Sequence, residues 1–162
     1  MRRPAIAAAA VVIALASLGL GAPTASATSA DESVCGEEWP NSRDGNLRVW
    51  QDWGCQGILL GTTPGNDRFW GDSGNEGVFN SPDHLAPSSV MNSGFLGGKD
   101  VVAFYAEKDY QSRFGYVCLA PGELWADNLT DNTYQSGAVV NDNIRSHQWV
   151  TASACAAGTW LT

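Results

Sequence analysis

Apolar and polar positions in this chain keep a regular rhythm only over short distances. Residues 47–50 (Leu47-Arg48-Val49-Trp50) and residues 101–105 (Val101-Val102-Ala103-Phe104-Tyr105) read as strands, bounded by Gly and Asp. Residues 58–60 and 114–117 follow each of them after a short turn, as second strands. Residues 75–81 and 127–136 are rich in Gly, Asn, Asp, Pro and Ser and read as loops. Beyond the N-terminal segment, no window sustains an i, i+3, i+4, i+7 apolar stripe over three turns, so helices are not expected. Short strands at regular spacing predict an all-β sandwich of antiparallel strands.

The pattern repeats. Val49-Trp50-Gln51-Asp52-Trp53-Gly54-Cys55-Gln56-Gly57 finds an echo in Phe104-Tyr105-Ala106-Glu107-Lys108-Asp109-Tyr110-Gln111-Ser112. Trp50 falls on Tyr105, Asp52 on Glu107 and Gln56 on Gln111. Further along, Pro64-Gly65 matches Pro121-Gly122, and Ser88-Ser89 matches Arg145-Ser146 at the same spacing. The reading is a single domain over residues 28–162. An N-terminal segment, 28–46, carries Cys35. A first motif spans 47–93, a linker 94–99, and a second motif 100–155.

The N-terminus changes the picture of the whole chain. Arg2 and Arg3 precede an apolar run over residues 5–20, and Ala25-Ser26-Ala27 offers a small-residue cleavage site. This is the layout of a secretory signal peptide, residues 1–27, and predicts an exported protein. The apolar run is too short to span a bilayer, and Gly19, Gly21 and Pro23 break it. Of the 162 residues, 17 are acidic and 9 basic, for a net charge of −8. Removing Arg2 and Arg3 makes the exported part more acidic still. Such a chain lacks the clustered cations that nucleic acid or anionic lipid would require, so neither partner is expected.

Four cysteines, Cys35, Cys55, Cys118 and Cys155, follow the signal. An even number in an exported chain reads as two disulfides, with three possible connectivities. Local pairing, Cys35 with Cys55 and Cys118 with Cys155, closes loops of modest size and keeps each bridge in one half. No CxxC pair is present, which argues against zinc.

Each half therefore has an aromatic strand, a tight turn, a second strand, a Pro-Gly turn, a long loop and a Ser-containing return. That order resembles the Greek-key motif of the βγ-crystallin superfamily. There an aromatic residue is followed seven positions later by Gly, and an Asn/Asp pair precedes a Ser/Thr-Ser step. Asn141-Asp142-Asn143-Ile144-Arg145-Ser146 and His84-Leu85-Ala86-Pro87-Ser88-Ser89 carry the second feature. Among exported bacterial proteins of this size, the chain is similar to peptidase inhibitor family I36, whose named member is a two-disulfide inhibitor of metalloproteinases. The resemblance covers residues 35 to 155. It implies a crystallin-like sandwich of two Greek keys, stapled by two disulfides.

Calcium is the cofactor the superfamily raises. It needs six or more oxygens, and each half keeps only part of the pattern. Arg145 replaces a ligand hydroxyl, and His84 and Leu85 replace the acidic pair. Only one hybrid site, from Ser88, Asn141 and Asp142, could form. The missing ligands favour turn hydrogen bonds instead, with Arg145 paired to a neighbouring acid. No cofactor is expected.

Catalytic constellations are incomplete. Gly71-Asp72-Ser73-Gly74 resembles the surroundings of a serine-protease nucleophile, but both histidines, His84 and His147, follow it in the chain. Cys118 and His147 would make a Cys–His pair only if Cys118 were free. A non-enzyme is expected. The resemblance implies a monomeric, secreted inhibitor of extracellular peptidases, metalloproteases in particular, that offers a disulfide-braced loop to the cleft. Thermolysin-like enzymes favour an apolar residue after the scissile bond, so Cys118-Leu119, followed by Pro121, is the expected reactive bond. The alternative is a glycan- or cell-wall-binding module, or a killer-toxin-like antimicrobial. It rests on seven tryptophans, Trp39, Trp50, Trp53, Trp70, Trp125, Trp149 and Trp160, some of which could stack on sugar rings.

Overall fold

A computed structural model describes residues 33–72, 79, 83 and 86–162. The expected export signal, His84, Leu85 and Ser73 lie outside the described residues. Seven strands form two antiparallel sheets: β1 (Asn46–Asp52), β2 (Gln56–Thr63), β3 (Ser89–Ser93), β4 (Val101–Tyr105), β5 (Tyr116–Leu119), β6 (Trp125–Ala126) and β7 (Ser146–Val150). The first sheet has the order β2-β1-β3-β6 and the second β5-β4-β7.

Period-two alternation decides which side chains meet between the sheets. Leu47 and Val49 of β1 and Val90 of β3 face Val102 and Phe104 of β4 and Val117 and Leu119 of β5 across one core, which Trp70, Leu129 and Ile144 complete. The opposite faces are covered as well. Trp50 and Met91 lie under the Cys35–Cys55 disulfide, with Trp39 and Trp125 packed against them. Val101, Ala103, Tyr105 and Val150 lie under the Cys118–Cys155 disulfide. Each bridge thus seals the outer face of its own sheet, and the pairing is the local one.

The two halves are interlocked. Strand β6 belongs to the second half of the chain yet pairs with β3 of the first sheet, Met91 opposite Trp125. In return, Asp67 of the first half bridges to His147 of β7. The exchange has an internal two-fold character at the level of single hydrogen bonds. Gly54 N–H donates to Asp127 O (2.6 Å), as Asp109 N–H does to Arg68 O (2.8 Å). Leu129 N–H donates to Ser88 O (3.0 Å), as Trp70 N–H does to Arg145 O (2.8 Å).

The turn after the first strand of each half takes a left-handed backbone at two successive residues. These are Gly54 and Cys55 in one half, at φ 68° and 59°, and Asp109 and Tyr110 in the other, both at φ 59°. Such a backbone costs a side-chain-bearing residue roughly 1–2 kcal/mol, so something must hold it. A buried serine does so in both halves. Ser89 Oγ accepts from Cys55 N–H (3.0 Å) and donates to Asp52 O (2.7 Å). Ser146 Oγ accepts from Tyr110 N–H (3.2 Å) and donates to Glu107 O (2.6 Å).

One exchanged segment is locked by a buried imidazole. Trp70 Nε1–H donates to His147 Nδ1 (2.8 Å), so the ring proton sits on Nε2 and is donated to Gly65 O (2.9 Å). Complete burial lowers the His147 pKa to about 4.

The C-terminal residues finish the second sheet. Cys118 N–H donates to Thr159 O and Cys118 O accepts from Leu161 N–H, in a parallel bridge along the outer edge of β5. This overturns the expected reactive bond. Cys118 and Leu119 are both 0 % exposed. They belong to a strand flanked on one side by β4 and on the other by residues 159–161, so no protease cleft reaches that peptide.

Candidate functional site

The segment expected to be a plain linker, residues 94–99, is the most exposed apolar feature described. Phe95 and Leu96 are 67 % and 68 % exposed, side by side. Their projection follows from the residues around them. Gly94 passes between the Asn92 amide and the Trp149 indole, where an added Cβ would lie 2.5 Å from a Trp149 ring carbon. Gly97 and Gly98 reverse the chain at φ 100° and 70°, a conformation that glycine adopts without strain. Between these points Phe95 and Leu96 face solvent.

The loop is held from within. Asn92 Nδ2 donates to Asp100 O (2.8 Å) and to Leu119 O (3.1 Å), while its Oδ1 accepts from Gly94 N–H (3.0 Å). Gly97 N–H donates to Asp100 Oδ2 (2.8 Å), closing the loop on itself. The preceding Ser93 is anchored by a half-buried cluster in which its hydroxyl donates to Asp44 Oδ1 and accepts from Arg48. Arg48 pairs with Asp44, and its guanidinium holds the carboxyl well below the usual carboxylate range. A loop braced in this way loses little conformational freedom when a partner engages it. Beside it runs a groove of about 450 Å³, lined by Pro64, Asn66, Phe95, Lys99 and Trp149.

Ser88, Asn141 and Asp142, the residues of the one hybrid calcium site weighed above, lie on neighbouring backbone segments. Asp142 N–H donates to Pro87 O (3.1 Å), and Asn141 N–H to Leu129 O (3.2 Å), next to the Leu129–Ser88 bond. Asn141 Oδ1 is buried and has no hydrogen-bond partner among the described residues, and burial raises the Asp142 pKa. The set offers one carboxylate, one amide oxygen and one hydroxyl, short of the six or more oxygens that calcium takes. No group of three or more His, Cys, Asp or Glu side chains fit for a metal occurs among the described residues.

Arg145 is a correction. Its guanidinium makes no hydrogen bond or ion pair among the described residues, so it does not pair with a neighbouring acid as expected. The tryptophan surplus is also mostly accounted for. Trp50, Trp70 and Trp149 are buried, Trp39, Trp53 and Trp125 are half-buried, and only Trp160 is exposed, at 36 %.

Phe95 and Leu96 escaped the sequence reading because Gly-rich segments between strands read as connectors. The available signal was two large apolar residues adjacent in a segment too glycine-rich to be a strand.

No protein-family model matches the chain, and no curated protein matches it. Among solved structures, the chain is similar to one described as "Evolution of the eye lens beta-gamma-crystallin domain fold". That likeness has 17 % identity and a TM-score of 0.47, covering 68 % of this chain and 89 % of the other. It is also similar to one described as "Crystal structure of N-terminal domain of Protein S", at 19 % identity and a TM-score of 0.42, covering 66 % and 97 % respectively. Independently of both, the chain's own strand order and exchanged segments make it an all-β sandwich of two Greek keys.

Proposed function

We propose that this protein is a secreted inhibitor of extracellular peptidases, of the metalloprotease class, and that loop 94–99 is the part it presents to the cleft. The carrying observation is the braced, exposed Phe95-Leu96 pair. A large apolar side chain at the tip of a rigid loop suits the apolar subsite by which thermolysin-like enzymes recognise the residue after the scissile bond. Export is supported by the N-terminal sequence pattern and by two disulfides, which persist in oxidising compartments. Among the described residues no helix is long and apolar enough to cross a membrane. Inhibition by this route needs neither a cofactor nor a catalytic group of the chain's own.

The test is an inhibition screen of the chain without residues 1–27 against thermolysin-like, subtilisin-like and trypsin-like proteases. Inhibition of the first class at micromolar concentration or below is expected. Leu96→Asp and Phe95→Asp should each weaken it by about a hundredfold, because a charge would have to enter an apolar subsite. Both positions are exposed, so the melting temperature should stay unchanged. Failure to inhibit any of the three classes overturns the proposal, and full inhibition by both variants removes this loop from it.

A further inference from the structure

A second groove, of about 310 Å³, opens between the left-handed turn of the second key and its long loop. Its walls carry Ala106 and Glu107 after β4, Arg113 and Phe114 before β5, Ala138 from the long loop, and Arg145 just before β7. Two of the chain's few cations therefore meet there, against one carboxylate. Arg113 donates to Glu107 Oε1 at 2.6 Å, so those two charges cancel each other. Arg145 is left over, an unpaired guanidinium among the described residues of a protein with 17 acidic and 9 basic side chains. The other described guanidiniums are engaged: Arg48 and Arg68 pair with carboxylates, and Arg43 donates to the carbonyls of Asn92, Gly94 and Pro121. The position itself is informative. Arg145 occupies the place that Ser88 holds in the first key, so the second key carries a fixed positive charge where its counterpart carries a hydroxyl.

Next to that charge the surface is part apolar, with Ser136 and Asn143 also in the lining. Phe114 is 47 % exposed, and the Arg113 guanidinium lies 4.7 Å from its ring centroid. Ala106 and Ala138 supply the remaining apolar lining. The volume is that of a small-molecule site.

We propose that this groove binds a small monocarboxylate with an apolar body. The Arg145 guanidinium takes the carboxylate through two parallel N–H donors, a fork that matches the planar anion. The body lies against Phe114 and the two alanines. Two physical points select this class. One uncompensated cation balances one negative charge, and the acidic field of the whole protein penalises a dianion. An exposed ion pair alone is weak because water screens it, so affinity has to come also from apolar contact. The assignment does not depend on peptidase inhibition and concerns different residues.

The experiment is a titration of the isotope-labelled chain, followed by the NMR signals of the Arg145 and Phe114 side chains, with three probes at constant ionic strength. N-acetyl-leucine carries both features, N-acetyl-leucinamide lacks the charge, and inorganic phosphate lacks the body. Saturable shifts with N-acetyl-leucine in the millimolar range are expected, and binding of the amide about tenfold weaker or less. Arg145→Gln should abolish the effect, and Phe114→Ala should weaken it several-fold. Both residues are exposed, so unchanged melting of these variants separates lost binding from lost fold. No saturation with N-acetyl-leucine, or its retention in Arg145→Gln, overturns the site. Equal binding of the amide overturns the role of the charge, and equal binding of phosphate overturns that of the apolar body.

Discussion

The two Greek keys run the same backbone programme with different fillings. Strand partners correspond one to one: Trp50 opposes Ser89 as Tyr105 opposes Ser146, and Val49 opposes Val90 as Phe104 opposes His147. Both turns are tied by the same serine hydroxyl, with the same donor and acceptor. What differs is what surrounds them. The first key closes its turn with Cys55, disulfide-bonded to the N-terminal helix Cys35–Glu38, where the second has the unbridged Tyr110. Val90 fills its core position with hydrocarbon, where His147 fills it with a buried imidazole that bonds Trp70. Strand β5 has its outer edge covered by residues 159–161, whereas β2 has no such cover among the described residues and shows Ile58 at 64 % and Leu59 at 48 % exposure. Duplication fixes the backbone hydrogen bonds, because they are satisfied in only one way. It leaves free whatever closes the outer faces and edges.

The disulfides give the largest handle on that difference. Removing Cys35–Cys55, which closes a separation of 20 residues, should cost about 3 kcal/mol, and removing Cys118–Cys155, at 37 residues, about 4 kcal/mol, by the chain-entropy relation. Urea unfolding of the paired Cys→Ser variants checks both. The second should also loosen the strand at 159–161, visible as lost amide protection at Cys118 and Leu161. Equal losses with intact protection would show that the two bridges are interchangeable.

Acid should act on the two keys at different pH. The unfolded chain binds a proton at His147 near pH 6.5, the folded chain only near pH 4. Protons therefore favour unfolding, and stability should decline by about 3 kcal/mol as pH falls from about 6.5 to about 4. Asp44 acts lower on the scale: its depressed pKa contributes stability that is lost only below the ordinary carboxylate value of 3.8. An NMR titration of the His147 ring with a midpoint near 4 checks the mechanism, and a midpoint at 6.5 breaks it.

Ser89→Ala and Ser146→Ala probe what the keys share. Each removes one donor and one acceptor from a buried turn, at a cost of about 1–3 kcal/mol. Similar losses sustain the correspondence, and a much smaller loss for either serine breaks it. The smallest effect belongs to the open edge. Ile58→Lys should change stability by no more than about 0.5 kcal/mol. A larger loss in the same urea assay would mean that the β2 edge is covered as the β5 edge is.

Much of the scaffold was legible in local pattern. Alternation at 47–50, the apolar run at 101–105 and the two Ser steps at 89 and 146 identified strands and their repeat, because a strand's period is written in adjacent residues. The candidate site was not legible in that way. Residues 114–117 read as a strand, but Cys118-Leu119 looked like part of an apolar, bridged loop, and only residues 159–161, some forty positions later, make it interior to the sheet. The Gly94-to-Lys99 stretch looked like a spacer, and only the packing of Trp149 and Asn92 against Gly94, from strands on either side, fixes its path and its need for glycine.

By itself, then, the sequence determined the all-β class, the twofold repeat and the division of the cysteines between its halves, all of which follow from spacing along the chain. The tertiary structure decided which apolar residues are buried. It did so through contacts such as Trp70 with His147, 77 residues apart, and through the exchange of segments between keys. Burial depends on what lies across a sheet or beside an edge. No local period encodes that neighbour when it comes from the other half of the chain.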